Sequence, residues 1–152
     1  MKPKWLPPHL IPFWEAPNLT LLTALLVGEA EGEPLLGRYA VACVVRSRWK
    51  GGWWGDGTLA SVCLAPAQFS CFWASFTVLR KKLLQALEFP DAFEGSHEQA
   101  ASCLMDCPDP PMFGGATVEY YLNTRIAKPS WMWHLVPVCR IGRHTFFSAY
   151  GA

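Results

Sequence analysis

"LLVGEAEGEP", residues 25–34, decides how the rest of the chain is read. A leucine-rich run ends in Glu29, Glu31 and Glu33, followed at once by Pro34. A helix C-terminus carries the negative end of the macrodipole, so lysines would be the ordinary choice there. Upstream, Leu22 and Leu26 fall with Glu29 and Glu33 at i, i+4, i+7 and i+11, one stripe of a helix surface. The spacing predicts a helix over "LTLLTALLVGEAEG", capped by Asn18, whose core-facing stripe runs out into two carboxylates. Glu31 points away and is expected in solvent. A carboxyl group against apolar walls loses hydration in its charged form and keeps its proton to higher pH. A general acid needs that property to protonate a leaving glycosidic oxygen. Glu29 is therefore the sharpest candidate, with Glu33 either a like-charged neighbour or a structural residue accepting backbone amides.

Working outward, "LLGRYAVACVVRSRWK" predicts a second helix ended by Gly51-Gly52, and the short connection implies a packed helical hairpin. "GGWWGDG" is a glycine-aromatic loop that no regular element would choose. Thr58 to Leu64 reads as a short helix closed by Pro66, while "AQFSCFW" is too short and mixed to assign. "SFTVLRKKLLQALEF", capped by Ser75, and "EGSHEQAASCLMD" are further helices. The tail changes period. "ATVEYYLN" alternates, with Val118, Tyr120 and Leu122 opposite Glu119, Tyr121 and Asn123, and "VPVCRIG" and "RHTFFSAY" read as strands around Gly142. Helices first and strands last predict an α+β fold with a small antiparallel sheet in the C-terminal third. Residues 1–17 form a proline-rich lead and residues 18–152 a single domain.

The 152 residues are 51% hydrophobic and 16% charged, which excludes a disordered chain. A net charge of +1 leaves no footprint for nucleic acid, and "RSRWK" and "RKK" read as solvated helix faces. The opening "MKPKWLPPHLIPFW" has no uninterrupted apolar run, and no segment is long enough to span a bilayer. The expectation is a monomer with no stable membrane association and no usual secretion signal. The six cysteines include no C-x-x-C pair and read as buried free thiols, so no metal is expected. Five of the eight tryptophans cluster at Trp53 and Trp54, at Trp73, and at Trp131 and Trp133; such rings suit a core and also sugar faces. Glycoside cleavage ordinarily uses a second carboxylate, for which Glu119 and Asp56 are the candidates. His144, beside Phe146 on an alternating strand, is expected to support by packing.

"LLVGEAEGEPLLGRYAVACVVRSRW", "LAPAQFSCFW", "GGATVEYYLN", "KPSWMW" and "RIGRHTFF" together, in this order, resemble the SleB-type cell-wall hydrolase family over about residues 20–148. The resemblance implies a lysozyme-like fold and cleavage of peptidoglycan glycan strands between N-acetylmuramic acid and N-acetylglucosamine, without cofactor. It implies lytic-transglycosylase chemistry, in which one Glu serves as acid and then base and a 1,6-anhydromuramoyl end is left. Glu29 matches the catalytic acid/base and Glu33 a supporting residue. Gln68, Phe69 and Ser70 match a cleft-wall motif, and Tyr120, Tyr121, Asn123 and Trp131 match segments lining the sugar groove. The family's usual Arg between the two Glu positions is replaced by Glu31. The "ATVEYYLN" strand is longer or shifted, which leaves open which tyrosine faces substrate. Compact size and the expected absence of a leader fit a phage lysin, made in the host cytoplasm and released to the wall through a separate membrane lesion; the alternative is a bacterial enzyme secreted by another route.

Overall fold

A computed structural model describes residues 2–52, 54–66, 68–74 and 77–149. Its centre is a helix buried on nearly every side. Helix α2 (Asn18–Ala30) follows a short α1 (Ile11–Trp14) and buries Leu21, Leu22, Leu25, Leu26 and Val27. A helix that is apolar all round belongs inside a core, and α2 is covered by α3 (Leu35–Gly51), α6 (Thr77–Glu88) and α7 (Glu94–Leu104). The Leu22–Leu26 stripe is thus one of several inward faces, and Glu29 emerges because the C-terminal end of α2 reaches the surface. Asn18 is the first helical residue, not a cap, since Pro17 precedes it and supplies no side-chain bond.

Between α3 and α6 lie α4 (Leu59–Leu64), whose Thr58 hydroxyl caps the Ser61 amide, and α5 (Ser70–Trp73). The expected cap at Ser75 and the first tryptophan of the glycine-aromatic loop, Trp53, lie outside the described residues. The lead folds back on the domain: Leu10 and Phe13 are buried, and Phe13 meets Phe72 of α5 edge-on.

The sheet comprises β1 (Tyr120–Leu122), β2 (Val136–Ile141) and β3 (His144–Ser148), antiparallel in the order β1-β3-β2 and set against α3. Tyr121 faces Phe146 in register, and the β2–β3 pairing slips between Pro137 and Cys139, where the proline has no amide to donate. The alternation expected in β1 does not separate core from solvent. Val118 and Glu119 are both buried and Tyr120, Tyr121 and Leu122 all half-buried, because this segment runs between the core and a cleft.

The "RSRWK" run is not a solvated face. Arg46 donates to the Cys103 and Cys107 carbonyls and pairs with Asp109 at 2.8 Å, and Arg48 is buried. Arg48 falls three, four and seven residues after Val45, Val44 and Val41, on an apolar stripe of α3. Cys43, Cys63, Cys71 and Cys103 are buried; Cys107 lies beyond the end of α7 and is exposed.

Candidate active site

One end of α2 opens into a cleft of about 470 Å³. Its wall is formed by Glu29 from α2, Arg48 from α3, Trp54, then Gln68, Phe69 and Ser70 entering α5, then Tyr120 to Leu122 of β1 with Asn123 just after it, and Trp131. Glu29, Gln68, Phe69, Ser70, Tyr120, Tyr121, Asn123 and Trp131, expected from scattered segments, meet around this one space. Both tyrosines line it, so the two readings of β1 are not exclusive. Arg48, Trp54 and Leu122 also line it, and of these Arg48 was readable from its position on the Val41–Val44–Val45 stripe.

The approach of α5 to α2 depends on Gly28. A Cβ there would lie 2.6 Å from Cys71 Cβ and 2.7 Å from its Sγ, so any side chain would push α5 away. The residue before Glu29 thereby lets the Gln68–Ser70 wall close on the carboxylate.

Glu29 is half-buried, and its Oε1 accepts a 2.8 Å hydrogen bond from the Tyr121 hydroxyl. Burial, with the Glu29 charge as second cause, pushes the Tyr121 phenol well above its usual value, so the hydroxyl keeps its proton and remains a donor. Burial and then Glu29 likewise raise the Cys71 thiol. Tyr121 is held from behind by His144 and Phe146, with ring centroids 4.9 and 6.0 Å away.

Arg48 braces the wall formed by Gln68, Phe69, Trp54 and Tyr120. Its Nε donates to the Glu119 carbonyl at 2.8 Å and Nη1 to Gln68 Oε1 at 3.3 Å. The guanidinium lies 4.4 Å from the Trp54 ring centroid, 5.2 Å from Phe69 and 5.6 Å from Tyr120. Burial pulls it below the usual arginine value, partly offset by the neighbouring tyrosines and Glu119. Trp54 also meets Tyr120, which in turn meets Trp131 at 5.9 Å, giving a continuous aromatic wall.

Neither second-carboxylate candidate reaches the cleft. Glu119 is buried and its Oε2 accepts from Trp54 Nε1 at 3.0 Å. Asp56 is exposed, and its Oδ1 accepts from the Thr58 amide and hydroxyl, bonds that hold its carboxyl below the usual value. Among the described residues Glu29 is the sole acid lining the space.

Glu33 and His144 stand outside it. Glu33 is buried, Oε1 accepts from the Arg143 amide at 2.9 Å, and its carboxylate fills the space beside Gly142, whose φ of +60° makes the β2–β3 turn. His144 Nδ1 lies 3.3 Å from the same oxygen without hydrogen-bond alignment. Burial lowers the His144 pKa, against the pull of Glu33 and Glu29. Among the described residues no group of three or more His, Cys, Asp or Glu is arranged to hold a metal ion.

The fold and cleft define a class, an α+β domain of lysozyme-like arrangement with one acid on an aromatic-lined groove. Residues 32–147 match the family described as Cell Wall Hydrolase, and the chain belongs to that family. The matched span opens three residues past Glu29, so the case for Glu29 rests on its geometry. The chain is 30% identical over 132 residues to a spore cortex-lytic enzyme of Halalkalibacterium halodurans, covering 85% of this chain and 34% of that protein. It thus spans about a third of that relative's length. Two solved structures share the fold with a TM-score of 0.67 each. One is the catalytic domain of the germination-specific lytic transglycosylase SleB from Bacillus anthracis, at 22% identity, covering 97% of this chain and 100% of that one. The other is the catalytic domain of the Bacillus cereus SleB protein, at 23% identity, covering 96% of this chain and 94% of that one.

Proposed function

We propose that the chain cleaves peptidoglycan glycan strands between N-acetylmuramic acid and N-acetylglucosamine as a lytic transglycosylase, with Glu29 as both acid and base. One observation carries this reading: a single carboxylate on an open, ring-lined cleft, with Glu119 and Asp56 both engaged elsewhere. A cleft of this size fits a few sugar units, with Trp54, Tyr120 and Trp131 against their apolar faces.

Tyr121 occupies Glu29 Oε1 and fixes the plane of the carboxyl group, which leaves the second oxygen for substrate. Protonated Glu29 gives its proton to the glycosidic oxygen as the C1–O bond breaks, releasing the 4-hydroxyl of N-acetylglucosamine. The resulting carboxylate takes the proton of the muramoyl C6 hydroxyl, whose oxygen closes on C1. The product is a 1,6-anhydro end, no water is consumed, and Glu29 returns protonated. Developing charge on the sugar is met by the Glu29 carboxylate itself, so a second acid is unnecessary.

Glu29→Gln keeps the shape and the Tyr121 contact but has no proton to exchange. Turbidity loss of purified cell walls is expected to slow by about 10²–10⁴-fold at unchanged thermal stability. Retention of more than about a tenth of wild-type activity, beyond anything the loss of a general acid permits, would reject Glu29, and binding to walls without lysis by the wild type would leave a glycan-binding module instead. A phage-lysin role is part of the same proposal. Among the described residues no helix is long and apolar enough to cross a membrane, and the role predicts that cells expressing the chain lyse only when their inner membrane is opened separately.

A further inference from the structure

Charge is divided along this chain. All twelve acids precede Tyr120, where nine lysines and arginines accompany them, so residues 1–119 carry a formal −3. Residues 120–152 carry Arg125, Lys128, Arg140 and Arg143 with no acid, a formal +4, which together make the chain's +1. All four of these cations are exposed, and among the described residues none takes part in an ion pair.

Two of the four stand at the rim of the cleft. Asn123 and Trp131 both line it, so the loop between them leaves the cleft wall and returns to it. Asn123 anchors that loop: its side-chain carbonyl accepts from the Arg125 amide, and its backbone carbonyl from the amides of Ile126 and Ala127, each at 3.1 Å. Arg125 and Lys128 are thus on the exposed part of a short loop pinned at both ends to the sugar groove. Trp133, 73% exposed, lies just beyond on the helical turn Ser130–His134. An exposed indole and two exposed cations without an ion pair among the described residues, on one segment that returns to the groove at Trp131, make a surface that folding alone does not call for.

We propose that this basic rim binds the carboxylates of the peptide stems borne by the glycan strand, so that the enzyme favours stem-bearing over bare strands. The inference rests on the peptidoglycan reading above. A strand lying along the cleft from Glu29 past Asn123 and Trp131 presents its next stem to the loop, and each stem is an acidic peptide attached to a muramoyl residue. Arg125 and Lys128 do not line the space around Glu29, so they act on encounter and affinity, in a salt-dependent way, and not on bond cleavage.

The test uses purified glycan strands with stems intact and the same strands stripped by an amidase. The wild type is expected to show a KM about fivefold lower on stem-bearing strands at low salt, shrinking at high salt, with kcat within about twofold on both. Arg125→Gln/Lys128→Gln is expected to abolish that preference while keeping kcat on bare strands and the thermal midpoint. Equal KM values for the wild type on both strands would overturn the rim and leave the enzyme reading intact. An equal loss on both strands in the variant, or a loss seen only with phosphate-bearing wall polymer, would overturn it too. A wild type that cleaves neither strand would remove the peptidoglycan reading itself.

Discussion

The three acids at the end of α2 are stabilised by three separate devices. Glu29 takes the Tyr121 hydroxyl, Glu31 pairs with Lys82, and Glu33 accepts the Arg143 amide. Arg38 meets the helix-end electrostatics, donating from Nε to the Glu33 carbonyl at 2.9 Å and from Nη2 to that of Glu31 at 2.8 Å. The helix-end rule therefore holds, with the cation delivered from the next helix. Tyr121 is the residue that makes Glu29 a defined acid. Tyr121→Phe removes a hydrogen bond that becomes charge-assisted as Glu29 gives up its proton, worth about 1.5–3 kcal/mol. If the full amount is used at the transition state, kcat on cell-wall substrate falls roughly ten- to hundredfold with a smaller change in KM. An unchanged kcat would mean that the bond does not orient the carboxyl group. The periodicity of residues 22–33 was enough to single out Glu29 and Glu33. It could not show that Tyr121, 92 residues later, would reach back, because that contact is made by the sheet.

The β2–β3 hairpin acts as a clamp behind Tyr121. Its turn is latched by Glu33, and its strand β3 places His144 and Phe146 against the tyrosine ring. Of the two sequence readings of Glu33, the structural one matches this placement. Glu33→Ala leaves the part-buried Arg143 amide without its acceptor, at a cost of about 1–3 kcal/mol. Thermal unfolding should then shift down by roughly 2–12 °C, whereas an unchanged midpoint would show that water replaces the latch freely. Helices were legible as elements because their apolar spacing is strong, as in α3 and α6. The faces were less so. α3 is buried on more than one side, which hides Arg48 inside an apparently basic run, and β1 is too short for alternation to report which side is wet.

At the scale of the molecule, a helical body carries the acid and a basic sheet lobe carries the groove wall, so the cleft exists only when both are assembled. Its members come from residues 29 to 131, and no local pattern could announce that they converge; the order of five motifs did. Assembly also couples the site to pH. His144 sits half-buried against Tyr121 and Glu33 with a lowered pKa, so in acid the unfolded chain binds a proton that the native state resists. Stability is then fully present above the ordinary histidine value of 6.5 and is lost as pH falls below it. Urea titrations of the wild type between neutral and mildly acidic pH should show this decline, and His144→Gln should flatten it; parallel declines would place its origin elsewhere. The most direct measurement of the central claim is the mass of the muropeptides released from purified peptidoglycan by the wild-type chain. One carboxylate serving as acid and base predicts anhydromuramoyl ends, lighter by one water than reducing ends. Reducing ends would contradict it and require a second carboxylate to activate water.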